Sequence, residues 1–165
     1  MSRAAIASAK RVVIKVGSSS LTGSAGAELD PAAVQKIVDL AYSLKQRGAE
    51  VVVVSSGAIA AGLSPLGLRV RPRDLATQQA AASVGQGLLI AKYNHYFQKY
   101  GISIAQSLCE RHHFSKRESF LQLKETYQEL WRNDIIPIAN ENDVVRHRLV
   151  KEIIRAYDTS KSISQ

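Results

Sequence analysis

Hydrophobic positions fall along this chain in two alternating periodicities. Val12, Val13, Ile14 and Val16 crowd around Lys15 in a β-branched run that reads as a buried strand, followed by the small, flexible loop Gly17-Ser18-Ser19-Ser20. Apolar residues then recur at Val34, Ile37, Val38, Ala41 and Leu44, the spacing of one helix face. Asp30 before Pro31 supplies an N-cap and a proline for the first turn of that helix, and Gly48 closes it. A second buried strand, Val51-Val52-Val53-Val54, ends in Ser55-Ser56-Gly57, where a short helix starts that is expected to stop before Pro65. A long Ala/Gln/Leu-rich helical stretch is predicted over 74–100, with interruptions at Gly85 and Gly87. A third strand is predicted over 102–108, and Ser115 with Glu118 forms a capping box for a helix reaching residue 132. A fourth strand over 135–139 leads into Asn140-Glu141-Asn142-Asp143.

The order β-α-β-α-α-β-α-β predicts an α/β fold, a mainly parallel sheet with helices on both faces. In such sheets ligands bind beyond the carboxyl ends of the strands. Lys15-Gly17-Ser18, Ser55-Ser56-Gly57 and Asn142-Asp143 all fall at those ends, so their convergence on one sheet edge defines a candidate site.

Each cluster also has a plain structural reading. Lys15 suits a strand-end lysine extending to solvent. Beside it, however, the backbone N–H groups of Gly17 to Ser20 can wrap an anion, with Lys15 as the point charge. The order differs from a Walker A loop, which places its lysine after the glycines. Ser55-Ser56-Gly57 is ordinary turn chemistry, or else an anion-holding connection into a helix. Asn140 to Asp143 is a polar turn, or a set of groups suited to a substrate ammonium. Gly85-Gln86-Gly87 has no strand before it and reads as part of a helix, not a dinucleotide turn. Cys109, His112 and His113 lack a second ligand group and read as a solvated loop, so no metal site is expected. Tyr93, Tyr96, Phe97 and Tyr100 have helical spacing and read as core or an oligomer face.

Composition changes this picture little. With 165 residues, 45% hydrophobic and 22% charged, the chain reads as one soluble globular domain. No stretch approaches the roughly 20 apolar residues of a membrane span, and residues 1–10 lack the apolar run of a signal peptide. Cys109 is the one cysteine, which precludes an internal disulfide and fits a reducing cytoplasm. The net charge of +8 suits an enzyme for anionic substrates. The scattered bases, with few aromatics among them, do not ask for nucleic acid.

Taken in order, VVIKVGSSSLT (12–22), VVVVSSGAIAAG (51–62), QQAAASVGQGLLI (78–90) and IPIANENDVV (136–145) resemble the glutamate 5-kinase branch of the amino acid kinase family. The resemblance covers 11–145, with 1–10 as an N-terminal extension and 146–165 as a divergent basic tail. It implies a three-layer αβα sandwich that uses ATP, with Mg²⁺ on the nucleotide, to phosphorylate the γ-carboxylate of L-glutamate, the first step of proline biosynthesis. It further implies that Lys15 contacts the transferring phosphate, with the Gly17 and Ser18 amides beside it. Ser56, Gly57 and Ala58 would hold glutamate, and Asn142 with Asp143 would bind its other end. A homo-oligomer and proline as feedback effector also follow from the resemblance, although His113 stands where the family often has an acid.

After Val145 the resemblance is expected to stop. No Gly-Asp-Asn-Asp motif follows, and the 64 residues after Gly101 hold no glycine for a second nucleotide cradle. The sequence therefore reads as a C-terminally truncated kinase domain, the substrate-binding part, with poor ATP affinity and the sheet's last strand as an unpaired edge. The alternative is a non-catalytic glutamate-binding or subunit-interaction fragment.

Overall fold

The computed structural model describes residues 9–22, 28–108, 113 and 115–140. Four strands, β1 (Arg11–Val16), β2 (Glu50–Ser55), β3 (Ile104–Leu108) and β4 (Ile136–Asn140), form one parallel sheet in the order β1-β2-β4-β3. Between them lie α1 (Ser18–Leu21), α2 (Pro31–Gln46), α3 (Ala58–Leu63), α4 (Leu75–Gln98) and α5 (Arg117–Arg132). Among the described residues β4, the strand last in sequence, lies inside the sheet and β1 and β3 stand at its edges, with Leu108 of β3 67% exposed. The edge expected at the last strand therefore falls on β3.

Alternation along the strands divides the core into two layers. Ile14, Val16, Val51, Val53, Ile136 and Ile138 pack against α2 and α4, whose Val34, Val38, Tyr93 and Phe97 are fully buried. On the other face Val52, Val54 and Ala139 pack against α5 through Tyr127, Leu123, Leu130 and Trp131. The result is the expected αβα sandwich. Tyr93 and Phe97 are core, as their spacing suggests, while Tyr100 stacks on Tyr42 and donates to Asp39.

Proline inside β4 has a local solution. Ile136 donates its N–H to Ser103 on the β3 side, so the alternation of the ladder turns the missing N–H of Pro137 towards β2. There the Trp131 indole Nε1 donates to the Val51 carbonyl at 3.0 Å, and ladder pairing between β2 and β4 begins only at Val53↔Ile138.

Two expectations need correction. The 74–100 helix is not interrupted: α4 runs unbroken for 24 residues, capped by Asp74, whose carboxylate accepts from Thr77 N–H at 2.8 Å. The N-cap of α5 is not Ser115: the helix starts one residue later, at Arg117, with Lys116 at its N-cap position. Helix α3 ends at Leu63, before Pro65 as expected, and a 3₁₀ segment, Ser64–Leu66, follows it.

Gly85 does not break α4 because it serves a crossing. A Cβ on Gly85 would lie 1.8 Å from the Ala58 carbonyl oxygen, and one on Gly62 would lie 1.9 Å from that of Ala81. Helices α3 and α4 thus meet backbone to backbone. Gly87, with nothing within 4 Å of its missing Cβ, is free of that constraint. Replacing Gly85 by Ala should cost about 3 kcal/mol or more, as overpacking against rigid backbone does. Gly87→Ala should stabilise by about 0.5–1 kcal/mol, the helix preference of alanine. Urea denaturation of both variants measures the contrast; equal effects would refute the crossing as the reason for Gly85.

Candidate functional site at the carboxyl edge of the sheet

The registers Val16↔Ser55, Ser55↔Asn140 and Leu108↔Asn140 align the ends of all four strands in one row. The chain leaves that row at Gly17, whose extended backbone (φ −76°, ψ 158°) turns directly into α1. A Cβ at Gly17 would meet only Ser19 Oγ, at 4.0 Å, so this backbone is open to close approach. Lys15 lies one residue from the end of β1, exposed, on the Val13 face of the sheet rather than the Ile14/Val16 face.

At the end of β2, Ser56 donates its N–H to the Val16 carbonyl at 2.9 Å, locking the two loops together. Gly57 then adopts φ +111°, ψ −1°, and a Cβ there would press on Leu21 Cδ1 at 3.3 Å, so backbone and space both select glycine. Ala58 opens α3, a helix of six residues. Ser55 has a structural role. Its hydroxyl donates to the Ser56 carbonyl (3.0 Å), leaving Tyr93 O–H to donate to Ser55 Oγ (3.0 Å). This buried pair ties the site to α4.

A cavity of about 170 Å³ opens between the two loops. Ser18, Ser19 and Thr22 line one side, Gly57, Ile59 and Leu63 another, and Arg71 reaches it from the α3–α4 connection. Of the expected site residues, Ser18 and Gly57 line this cavity; Lys15, Gly17, Ser56 and Ala58 sit at the same strand ends but outside its described wall. Asn142 and Asp143 lie outside the described residues, as do Cys109 and His112.

Sequence reasoning missed Arg71 and, within the polar run it did single out, what sets Asn140 apart. Arg71 stands among alternating Arg69, Arg71 and Arg73, a pattern that could have marked the connection. Asn140, the last residue of β4, has both side-chain amide atoms buried with no hydrogen-bond partner among the described residues. Natural structures rarely leave such atoms unmet. Among the described residues no cluster of three His, Cys, Asp or Glu side chains could hold a metal ion, and no helix is long and apolar enough to cross a membrane.

A parallel αβα sandwich with glycine-containing loops gathered at one carboxyl edge defines an α/β domain of the class in which ligands, where bound, meet that edge. Within that class, residues 10–156 match the model of the amino acid kinase family, and the chain belongs to this family. It is similar to the glutamate 5-kinase of Streptomyces coelicolor, at 51% identity over 143 residues, covering 87% of this chain and 38% of that protein. The glutamate 5-kinases of Thermobifida fusca and Nocardia farcinica are 49% and 47% identical, again over 87% of this chain and 37% and 39% of theirs. The chain thus spans less than two fifths of the length of these relatives.

Burial pushes the Tyr93 hydroxyl up to about 12 from its ordinary 10. A hydroxyl that ionises later in the folded state than in the unfolded chain leaves stability constant below pH 10. Stability then falls as pH rises from 10 towards 12, by about 2–3 kcal/mol in all. Chemical denaturation between pH 8 and 12 should show this decline and Tyr93→Phe should remove most of it; an unchanged slope in the variant would assign it to other groups.

Proposed function

We propose that this chain is the glutamate-binding part of a glutamate 5-kinase, acting in ATP-dependent phosphorylation of the γ-carboxylate of L-glutamate, the step that opens proline biosynthesis. The observation that carries the reading is the Ser56–Val16 hydrogen bond, which joins the Lys15-Gly17-Ser18 loop to the Ser56-Gly57-Ala58 loop at one edge. Identity of 45–51% to glutamate 5-kinases across most of this chain supports the choice of acceptor. On this reading 11–145 is the kinase-domain segment, preceded by an extension over 1–10 and followed by a basic tail over 146–165. The protein works in the cytoplasm as a homo-oligomer that responds to proline.

ATP, when bound with its Mg²⁺, supplies the phosphoryl group. The open backbone at Gly17 fits a phosphate, because no side chain fills the space a Cβ would take. Lys15 neutralises charge on the transferring group, with the Gly17 and Ser18 N–H groups beside it. Ser56, Gly57 and Ala58 hold the glutamate, and Asn142 with Asp143 bind its ammonium end. The buried, unpartnered Asn140 amide needs polar atoms at this edge, and a bound amino acid would provide them. No protein nucleophile is required, since the attacking atom is a carboxylate oxygen of the substrate and the work is positioning and charge neutralisation.

The full gene product containing this chain, given ATP, Mg²⁺, glutamate and hydroxylamine, should accumulate γ-glutamyl hydroxamate. Lys15→Ala should slow that reaction by about 10²–10³-fold, the usual cost of removing one group that stabilises transition-state charge. Circular dichroism of the variant should be unchanged. Glutamate binding with no phosphoryl transfer would favour a binding fragment, and ATP turnover indifferent to glutamate would reject the acceptor.

A further inference from the structure

Beyond Leu68, which packs on Ile59 and Leu63, the connection between α3 and α4 is ordered by polar contacts. Val70 at its middle is 74% exposed. Leu68 donates its N–H to the Leu63 carbonyl at 2.9 Å, which fixes the start of the connection. Gln78, on the first turn of α4, fixes the rest. Its Nε2 donates to the carbonyls of Pro72 (2.9 Å) and Arg73 (3.4 Å), and its Oε1 accepts from Arg71 Nη2 at 3.1 Å. A single glutamine thus holds both the backbone and the guanidinium, placing Arg71 on the cavity wall.

In that wall Arg71 is the one ionisable side chain among the described residues. Around it stand the hydroxyl-bearing Ser18, Ser19 and Thr22 and the apolar Ile59 and Leu63. The volume, about 170 Å³, is below the roughly 300–1,000 Å³ of drug-sized pockets and suits a small acid. A guanidinium presents a planar fork that matches a carboxylate, hydroxyls can serve the remaining lone pairs, and the apolar side accommodates methylenes.

We propose that Arg71 is a specificity-determining residue that pairs with a carboxylate of the small acidic ligand in this cavity. The inference rests on the glutamate reading above for the identity of that ligand. Lys15 lies outside the cavity's described wall, so the carboxylate at Arg71 is the one that does not accept the phosphoryl group. Arg71 therefore recognises the substrate without touching the reacting atoms. The competing account makes Arg71 only a tether between its loop and Gln78.

Calorimetric titration of the chain with L-glutamate, L-glutamine and glutarate separates these accounts. Glutamate should bind the natural sequence, and both Arg71→Ala and Arg71→Gln should weaken it by about 10–100-fold, the range for a charge-assisted hydrogen bond. Arg71→Lys, which keeps charge but loses the fork, should fall between. Arg71→Gln retains an uncharged donor for Gln78, so a mere tether predicts natural affinity in that variant even if Arg71→Ala melts early. Natural glutamate affinity in Arg71→Gln would overturn the inference and leave the glutamate reading standing. Binding of glutarate but not glutamate, lost in Arg71→Gln, would support the Arg71 pairing and remove the amino-acid reading. No binding of any of the three ligands to the natural sequence would overturn both.

Discussion

Backbone-to-backbone contact between α3 and α4 at Gly62 and Gly85 is the constraint on which the rest of the candidate site depends. Helix α3 begins at Ala58, one residue beyond the left-handed Gly57, and its first turns form a wall of the cavity. Its position follows from how closely α4 lets it approach, and that distance is too short for any side chain at either glycine. The small cluster of Ile59, Leu63 and Ala81, with Leu68 and Ala82 packed on it, fills what space remains. Further along α4 the fully buried Tyr93 and Phe97 fix the same helix against the sheet, each worth about 1.5–3 kcal/mol in buried apolar surface. Through Tyr93 and Ser55 that anchor also reaches the end of β2. One long helix therefore sets the depth of the sandwich and the shape of the edge where ligands meet it.

Most of this architecture was legible in the sequence. The β-branched runs of β1 and β2, the Asp30-Pro31 start of α2 and the position of Gly48 are local signals, and each appears where its residues place it. Asp30 indeed accepts from the Ala32 N–H at 2.9 Å, and Gly48 takes φ +79°. Errors arose where a residue answers to a partner distant in sequence. Gly85 looked like a helix breaker because its reason lies across the crossing, at Ala58 and Gly62. Ser115 looked like a cap because a capping box is a local pattern, yet α5 starts later, at Arg117, where Tyr127, Leu130 and Trp131 meet the sheet.

The candidate site divides the same way. Lys15, Gly17, Ser56 and Gly57 were visible because strand ends and their loops are contiguous in sequence, and the parallel register brings them together. Arg71 was not, since its place in the cavity depends on Gln78, seven residues away on another element. Asn140 stood in a recognisable polar run, but its unmet amide is a property of packing alone. Family membership adds a direction to this geometry, since glutamate 5-kinases share about half of the aligned residues.

Pro137 and Trp131 together act as a key for the alignment of β4. A strand of ordinary residues could shift along β2 by a register step and still satisfy its ladder, at the cost of turning its side chains over. Here the ring of Pro137 would interrupt the ladder anywhere but at its start, and the Trp131 indole takes up the Val51 carbonyl left open there. The place of Asn140 at this edge is thus written at the opposite end of β4, by an imino acid and an indole.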